Sequence, residues 1–185
     1  MIRYNAILIR SNKKYGAFLL VSMTQPQRQL LPLWDYGWLD LNEIKLSPCG
    51  QPRELIEAYL NSNDFGTSFV GQELDDAPEL HGAFWRTSIE ANDFQLIDSA
   101  TFDAQIQRIR QPEGFGEPVE EEQWSVVEES VTKLKNQYQW LIMLRLTEND
   151  EDKFHDWGFV LTIFREFLLA NPNSEKVVRL VFGFD

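Results

Sequence analysis

The segment Trp140-Leu141-Ile142-Met143-Leu144 is apolar at every position. Side chains alternate between the two faces of a strand, so such a run has no face to give to water and needs cover on both sides. A sheet with helices packed against it meets that need. The chain has the material for it: 185 residues, 43% hydrophobic and 13% aromatic, with 13 Phe and 6 Trp. That composition excludes a disordered chain and fits one domain.

The flanking segments extend the pattern. Pro118 opens a helix that runs to Asn136, with Glu120, Glu121 and Glu122 in its first turn and Lys133 and Lys135 in its last. Both placements complement the helix dipole. At about 100° per residue, Trp124, Val127, Val131, Leu134 and Tyr138 share one narrow face. Tyr138–Leu146 is then expected as a strand, Lys153–Ala170 as an apolar helix stopped by Asn171-Pro172, and Lys176–Phe184 as a closing strand. A strand, helix and strand in that order imply a right-handed crossover between parallel strands.

Upstream, Ile2–Arg10 and Gly16–Met23 read as a hairpin, and Pro52–Asn61 as a helix with Leu55, Ile56, Tyr59 and Leu60 on one stripe. Residues 62–82 read as a long loop with a short strand at Thr67–Val70. Phe84–Glu90 and Phe94–Asp98 read as strands joined by Ala91-Asn92-Asp93, and Thr101–Arg110 as a helix with Phe102, Ile106 and Ile109 inward. The Pro/Gly segment 111–117 is the one internal boundary. The expected fold is therefore a single α+β domain, with a mixed sheet of about five to seven strands, about three or four helices, and a C-terminal α-β-α-β segment.

Charge narrows the function. Against 17 Lys and Arg stand 29 Asp and Glu, a net charge of -12. Such a surface repels phosphate backbones and anionic membranes, so direct nucleic-acid or membrane binding is not expected. No apolar run is long enough to span a bilayer, and the start lacks the apolar core of a secretory signal. The lone Cys49 cannot form an internal disulfide, which suits a reducing compartment. A cytoplasmic location is expected.

The excess acid is concentrated. Glu54 to Trp85 contains no Lys or Arg and holds Glu73, Asp75, Asp76 and Glu79; Gln111 to Thr132 contains none and holds Glu117, Glu121, Glu122, Glu128 and Glu129. An amphipathic helix with a solvated acidic face accounts for much of the second stretch. In the first, the loop at Gln72 to Leu80 with Glu73, Asp75, Asp76 and Glu79 has no helical face to share, and like charges so close repel unless a basic surface meets them. Trp34, Tyr36 and Trp38 would share one face of an extended segment, as core or as an interface anchor. Phe115, between Gly114 and Gly116, is a second candidate anchor.

Catalytic signals are thin. Only His81 and His155 could serve as imidazole bases, no Ser lies in a G-x-S-x-G turn, and Cys49 has little basic support. His81 with Asp75, Asp76 and Glu79 does not make a zinc cage, and Asn149–Asp152 lacks the glycine and distal Glu of a calcium loop. No cofactor, metal or catalytic residue is assigned. The expectation is a protein-binding inhibitor, most concretely an immunity protein that covers the basic cleft of a bacterial toxin. Its contacts would be Asp75, Asp76, Glu79, Glu117, Glu121, Glu128, Trp34, Trp38 and Phe115. The alternatives are a nucleic-acid mimic that blocks a DNA-binding defence protein and a small enzyme using His81 or His155 with nearby carboxylates.

Overall fold

The computed structural model describes residues 29–33, 37–66, 79–110, 119–146, 150–155, 161 and 163–184. The expected hairpin at 2–23, the short strand at 67–70 and the boundary at 111–117 lie outside them. Six strands form one sheet: β1 (Gln29–Pro32), β2 (Gly37–Lys45), β5 (Phe94–Ile97), β6 (Trp140–Leu144), β7 (Ile163–Ala170) and β8 (Lys176–Phe184), in the order β1-β2-β8-β7-β6-β5. β3 (Leu80–His81) and β4 (Phe84–Trp85) make a separate two-stranded hairpin. The helices are α1 (Pro52–Leu60), α2 (Ser99–Arg110) and α3 (Glu121–Lys135). The α+β class and the strand number are as the sequence indicates.

The doubly covered centre is also there. Along β7, Phe164, Leu168 and Ala170 belong to one apolar cluster, while Phe167 and Leu169 belong to another. β8 divides in the same way, with Val177 and Val181 on one side and Val178, Leu180 and Phe182 on the other. α1 and the β3–β4 hairpin cover the first face; α2 and α3 cover the second. The result is three layers with the sheet in the middle.

Two expectations are corrected. Residues 163–170 are a strand, not the second half of a helix, and β7 pairs antiparallel with both β6 and β8. Among the described residues the C-terminal order is therefore α-β-β-β, and the parallel crossover is replaced by antiparallel neighbours. Phe164, Phe167 and Leu168 mimic helical spacing, yet they serve opposite faces of a buried strand. A continuous apolar run cannot distinguish the two by periodicity.

The second correction concerns residues 84–90. Only Phe84–Trp85 forms a strand. Arg86–Ser88 turns as a 3-10 helix, and β5 pairs with β6 rather than with this segment. The strand β2 was not anticipated over its full length; it pairs with β8 through Gly37–Lys45.

The helices lie close to their expected limits. Glu54 folds back to accept the Gly50 and Gln51 N–H groups at 2.9 and 3.1 Å, closing the α1 N-terminus next to Pro52. Asp98 accepts the Thr101 N–H at 2.7 Å at the start of α2, which lowers its carboxyl below the ordinary value. Among the described residues no helix is long and apolar enough to cross a membrane.

Candidate functional site

Two regions concentrate ionisable groups: a buried cluster between the sheet and the α1 layer, and the outer face of α2 and α3. The cluster follows from strand alternation. Asp40 on β2, Glu166 on β7 and Arg179 on β8 share the parity of Trp38, Phe164 and Val181, so all three point toward α1 and the β3–β4 hairpin. α1 contributes Tyr59 and β3 contributes His81. All five are essentially inaccessible to water.

Buried charge is tolerated only where it is paired and hydrogen-bonded. Tyr59 donates to Glu166 Oε1 at 2.5 Å, and His81 Nε2 lies 2.8 Å from Glu166 Oε2. The Gly66 N–H donates to His81 Nδ1 at 3.3 Å, so Nε2 carries the ring hydrogen and donates to Glu166. Gly66 can reach that position because it holds φ at 119°, a conformation L side chains rarely adopt. Arg179 donates to the Asp64 carbonyl at 2.5 Å, to Asp40 Oδ2 at 3.4 Å and to the Tyr59 hydroxyl at 3.5 Å.

The electrostatics agree with that wiring. Burial would raise the Glu166 carboxyl, but the His81 N–H edge, the Arg179 guanidinium and the Tyr59 hydroxyl hold it below its ordinary value. Burial and the adjacent Glu166 push the Tyr59 phenol well above its ordinary value. Burial opposes the charge on Arg179, yet Tyr59, Asp40 and Glu166 outweigh it, and the guanidinium is held charged. The cluster is a lock that ties α1, β3 and the 62–66 turn to three adjacent sheet strands.

Both histidines are packed. His81 sits 4.2 Å from Phe65 between ring centroids and edge-on to Phe164 at 5.9 Å. His155 is buried with Nε2 3.0 Å from the Gly82 carbonyl and its ring against Trp85. Cys49 is buried too; burial and the Glu54 carboxylate push its thiol above the ordinary value, away from nucleophilic readiness. Among the described residues there is no cluster of three His, Cys, Asp or Glu side chains suited to a metal ion.

The expected contact residues divide. Asp75, Asp76, Glu117, Trp34 and Phe115 lie outside the described residues. Trp38 is corrected as a surface anchor: it is 2% exposed and its indole packs over Gly183. Glu79, Glu121 and Glu128 are exposed. Glu121 pairs with Arg110, and Glu128 accepts the neutral Gln107 amide at 3.2 Å. Glu120, which precedes α3, and Glu122 and Glu129 on it are exposed and form no ion pair among the described residues.

Of the buried cluster, sequence reasoning singled out only His81. The missed signal was charge inside an apolar strand: Arg179 in Val177-Val178-Arg179-Leu180-Val181, and Arg165-Glu166 between Phe164 and Phe167. Comparison with protein-family models, with curated proteins and with solved structures finds no match.

Proposed function

We propose that the chain is an acidic cytoplasmic protein-binding inhibitor, and most concretely an immunity protein that neutralises a bacterial toxin by covering its basic cleft. The observation that carries this reading is the solvent face of α3 and the residue before it, where Glu120, Glu121, Glu122, Glu128 and Glu129 are all exposed while Trp124, Val127, Val131 and Leu134 are buried beneath them. Internal pairing cannot remove the imbalance. Each ion pair takes one acid and one base, so 29 acids against 17 bases leave the net charge at -12 however they pair. A surface of this sign accelerates association with a cationic cleft and disfavours anionic partners.

Asp75, Asp76 and Glu79 belong to the same proposal on sequence grounds, as a second acidic segment without a basic neighbour. The buried cluster serves the reading by making the scaffold rigid, so that little ordering remains to be done on binding. Affinity capture from the native host at low ionic strength tests it. The expected result is one basic protein that elutes as salt is raised and is not retained by a Glu120→Lys, Glu122→Lys, Glu129→Lys variant. A partner retained equally by the variant, or a small molecule retained in place of a protein, would overturn it.

A further inference from the structure

The two edges of the six-stranded sheet are built differently. Along an antiparallel pair, successive residues turn their N–H and C=O alternately toward the neighbouring strand and away from it. The Arg145 N–H donates to the Asp93 carbonyl at 2.8 Å, which sets the alternation on β5. Gln95 and Ile97 turn their backbone groups to β6, and Phe94 and Leu96 turn theirs outward. On β1 the Leu33 N–H donates to the Gly37 carbonyl at 2.8 Å, so Leu30 and Pro32 are the outward residues there. Proline has no N–H to offer, and it commonly guards an edge strand. β5, Phe94-Gln95-Leu96-Ile97, contains neither proline nor charge. Its Phe94 N–H is taken by the Ala91 carbonyl. Among the described residues, the Phe94 carbonyl and both backbone groups of Leu96 are left open at this edge. The Leu96 side chain is 50% exposed, more than any other large apolar side chain among them.

An edge with open hydrogen-bonding groups and a wet apolar side chain fits an extended chain, which satisfies the first and covers the second. Charge selects which chain. A second copy brings another net charge of -12, so pairing two copies edge to edge works against repulsion, whereas a basic segment is attracted. Cations of this chain lie at the start of β5, where Lys153 donates to both Asp93 oxygens at 2.7 Å and Arg145 to the Asn92 carbonyl at 3.0 Å. The other end is acidic. Asp98, one residue past the strand, is exposed and forms no ion pair among the described residues. We propose that β5 receives an extended, basic segment of the partner as an added strand of the sheet. Three main-chain bonds hold it, two to Leu96 and one to the Phe94 carbonyl. An apolar side chain of the segment covers Leu96, and a Lys or Arg meets Asp98. The assignment rests on the protein-binding reading above and names the form in which the partner's main chain is held.

The heptapeptide KVTVTVK, titrated into the full chain at low ionic strength and followed by amide hydrogen exchange, tests the assignment. The Leu96 amide, open in the free protein, should exchange about tenfold more slowly at saturation, while Gln95 and Ile97, already bonded to β6, should not change. The same peptide N-methylated on its valines keeps its charge but loses one row of donors, and should give no protection. Leu96→Pro removes the outward N–H without touching the bonds to β6, and should abolish binding. Leu96→Lys keeps the amide but repels the basic peptide, and should weaken it. No protection at Leu96, equal protection from the N-methylated peptide, or a Leu96 amide already slow in a dimer of this chain would overturn the added strand while leaving the acidic-face reading intact. Failure to capture any basic protein would instead remove that reading, whatever the peptide does at the edge.

Discussion

The Tyr59 hydroxyl donates to Glu166 Oε1 at 2.5 Å across 107 residues of sequence, joining α1 to the middle of the sheet inside a site closed to water. Glu166 is committed on its other oxygen to His81, so each partner it loses leaves a buried carboxylate short of a hydrogen bond. Replacing Tyr59 with Phe keeps the ring packed on Phe65 and removes only the hydroxyl. The expected loss is about 2–3 kcal/mol of stability, read as a lower urea midpoint with an unchanged slope. A neutral outcome would show that the bond contributes nothing net.

The same pair gives the protein a two-sided pH dependence. Glu166 is lowered from 4.5 in the folded chain, so the unfolded chain binds more protons at acid pH. Its contribution is complete above 4.5 and is lost as pH falls through the lower folded value. Tyr59 is raised above 10.0, so its contribution is complete below 10.0 and is lost as pH rises further. Urea midpoints against pH should fall on both sides. Tyrosinate absorbance should show one phenol that ionises only as the chain unfolds, and Tyr59→Phe should abolish that late step.

Arg179 and Asp40 test the cost of a broken buried pair. Arg179→Met leaves Asp40 charged and buried, and should destabilise by about 3–5 kcal/mol. Adding Asp40→Leu removes the facing buried carboxylate and should restore a large part of the loss. Denaturation of the single and double variants measures this directly; an additive double variant would mean that the two residues, 3.4 Å apart, are not coupled.

Gly183 on β8 is required by a close approach. A Cβ built there would collide with the Trp38 indole on the neighbouring strand, where the two residues are register partners. Gly183→Ala should cost about 1–3 kcal/mol, and the cost should shrink when Trp38 is shortened to Leu in the same chain. Thermal melting of the single variants and the pair decides it.

How much of this was readable beforehand depended on solvent. α1, α2 and α3 each keep one face wet, so their apolar residues repeat with helical spacing, and Phe102, Ile106 and Ile109 or Trp124, Val127, Val131 and Leu134 are buried as that spacing requires. β6 was legible because it is short and lacks any polar interruption. β7 was not: buried on both faces, it shows no alternation, and Arg165-Glu166 inside it resembles the polar side of a helix. The buried cluster was invisible for a different reason. Its members come from β2, α1, β3, β7 and β8, and pairs such as Asp40 and Arg179 are 139 residues apart. On the outer face the identities of the acids were plain from sequence, but their pairing with Arg110 and Gln107 depends on how α2 and α3 lie together.

The central claim is that exposed carboxylates on α3 draw in a cationic partner. The most direct measurement is the association rate constant with the captured partner as a function of ionic strength, for the native chain and for the Glu120→Lys, Glu122→Lys, Glu129→Lys variant. The account expects the native rate to fall steeply with added salt, and the variant to associate about tenfold more slowly at low salt with little further dependence. Equal rates and equal salt slopes for the two chains would contradict it.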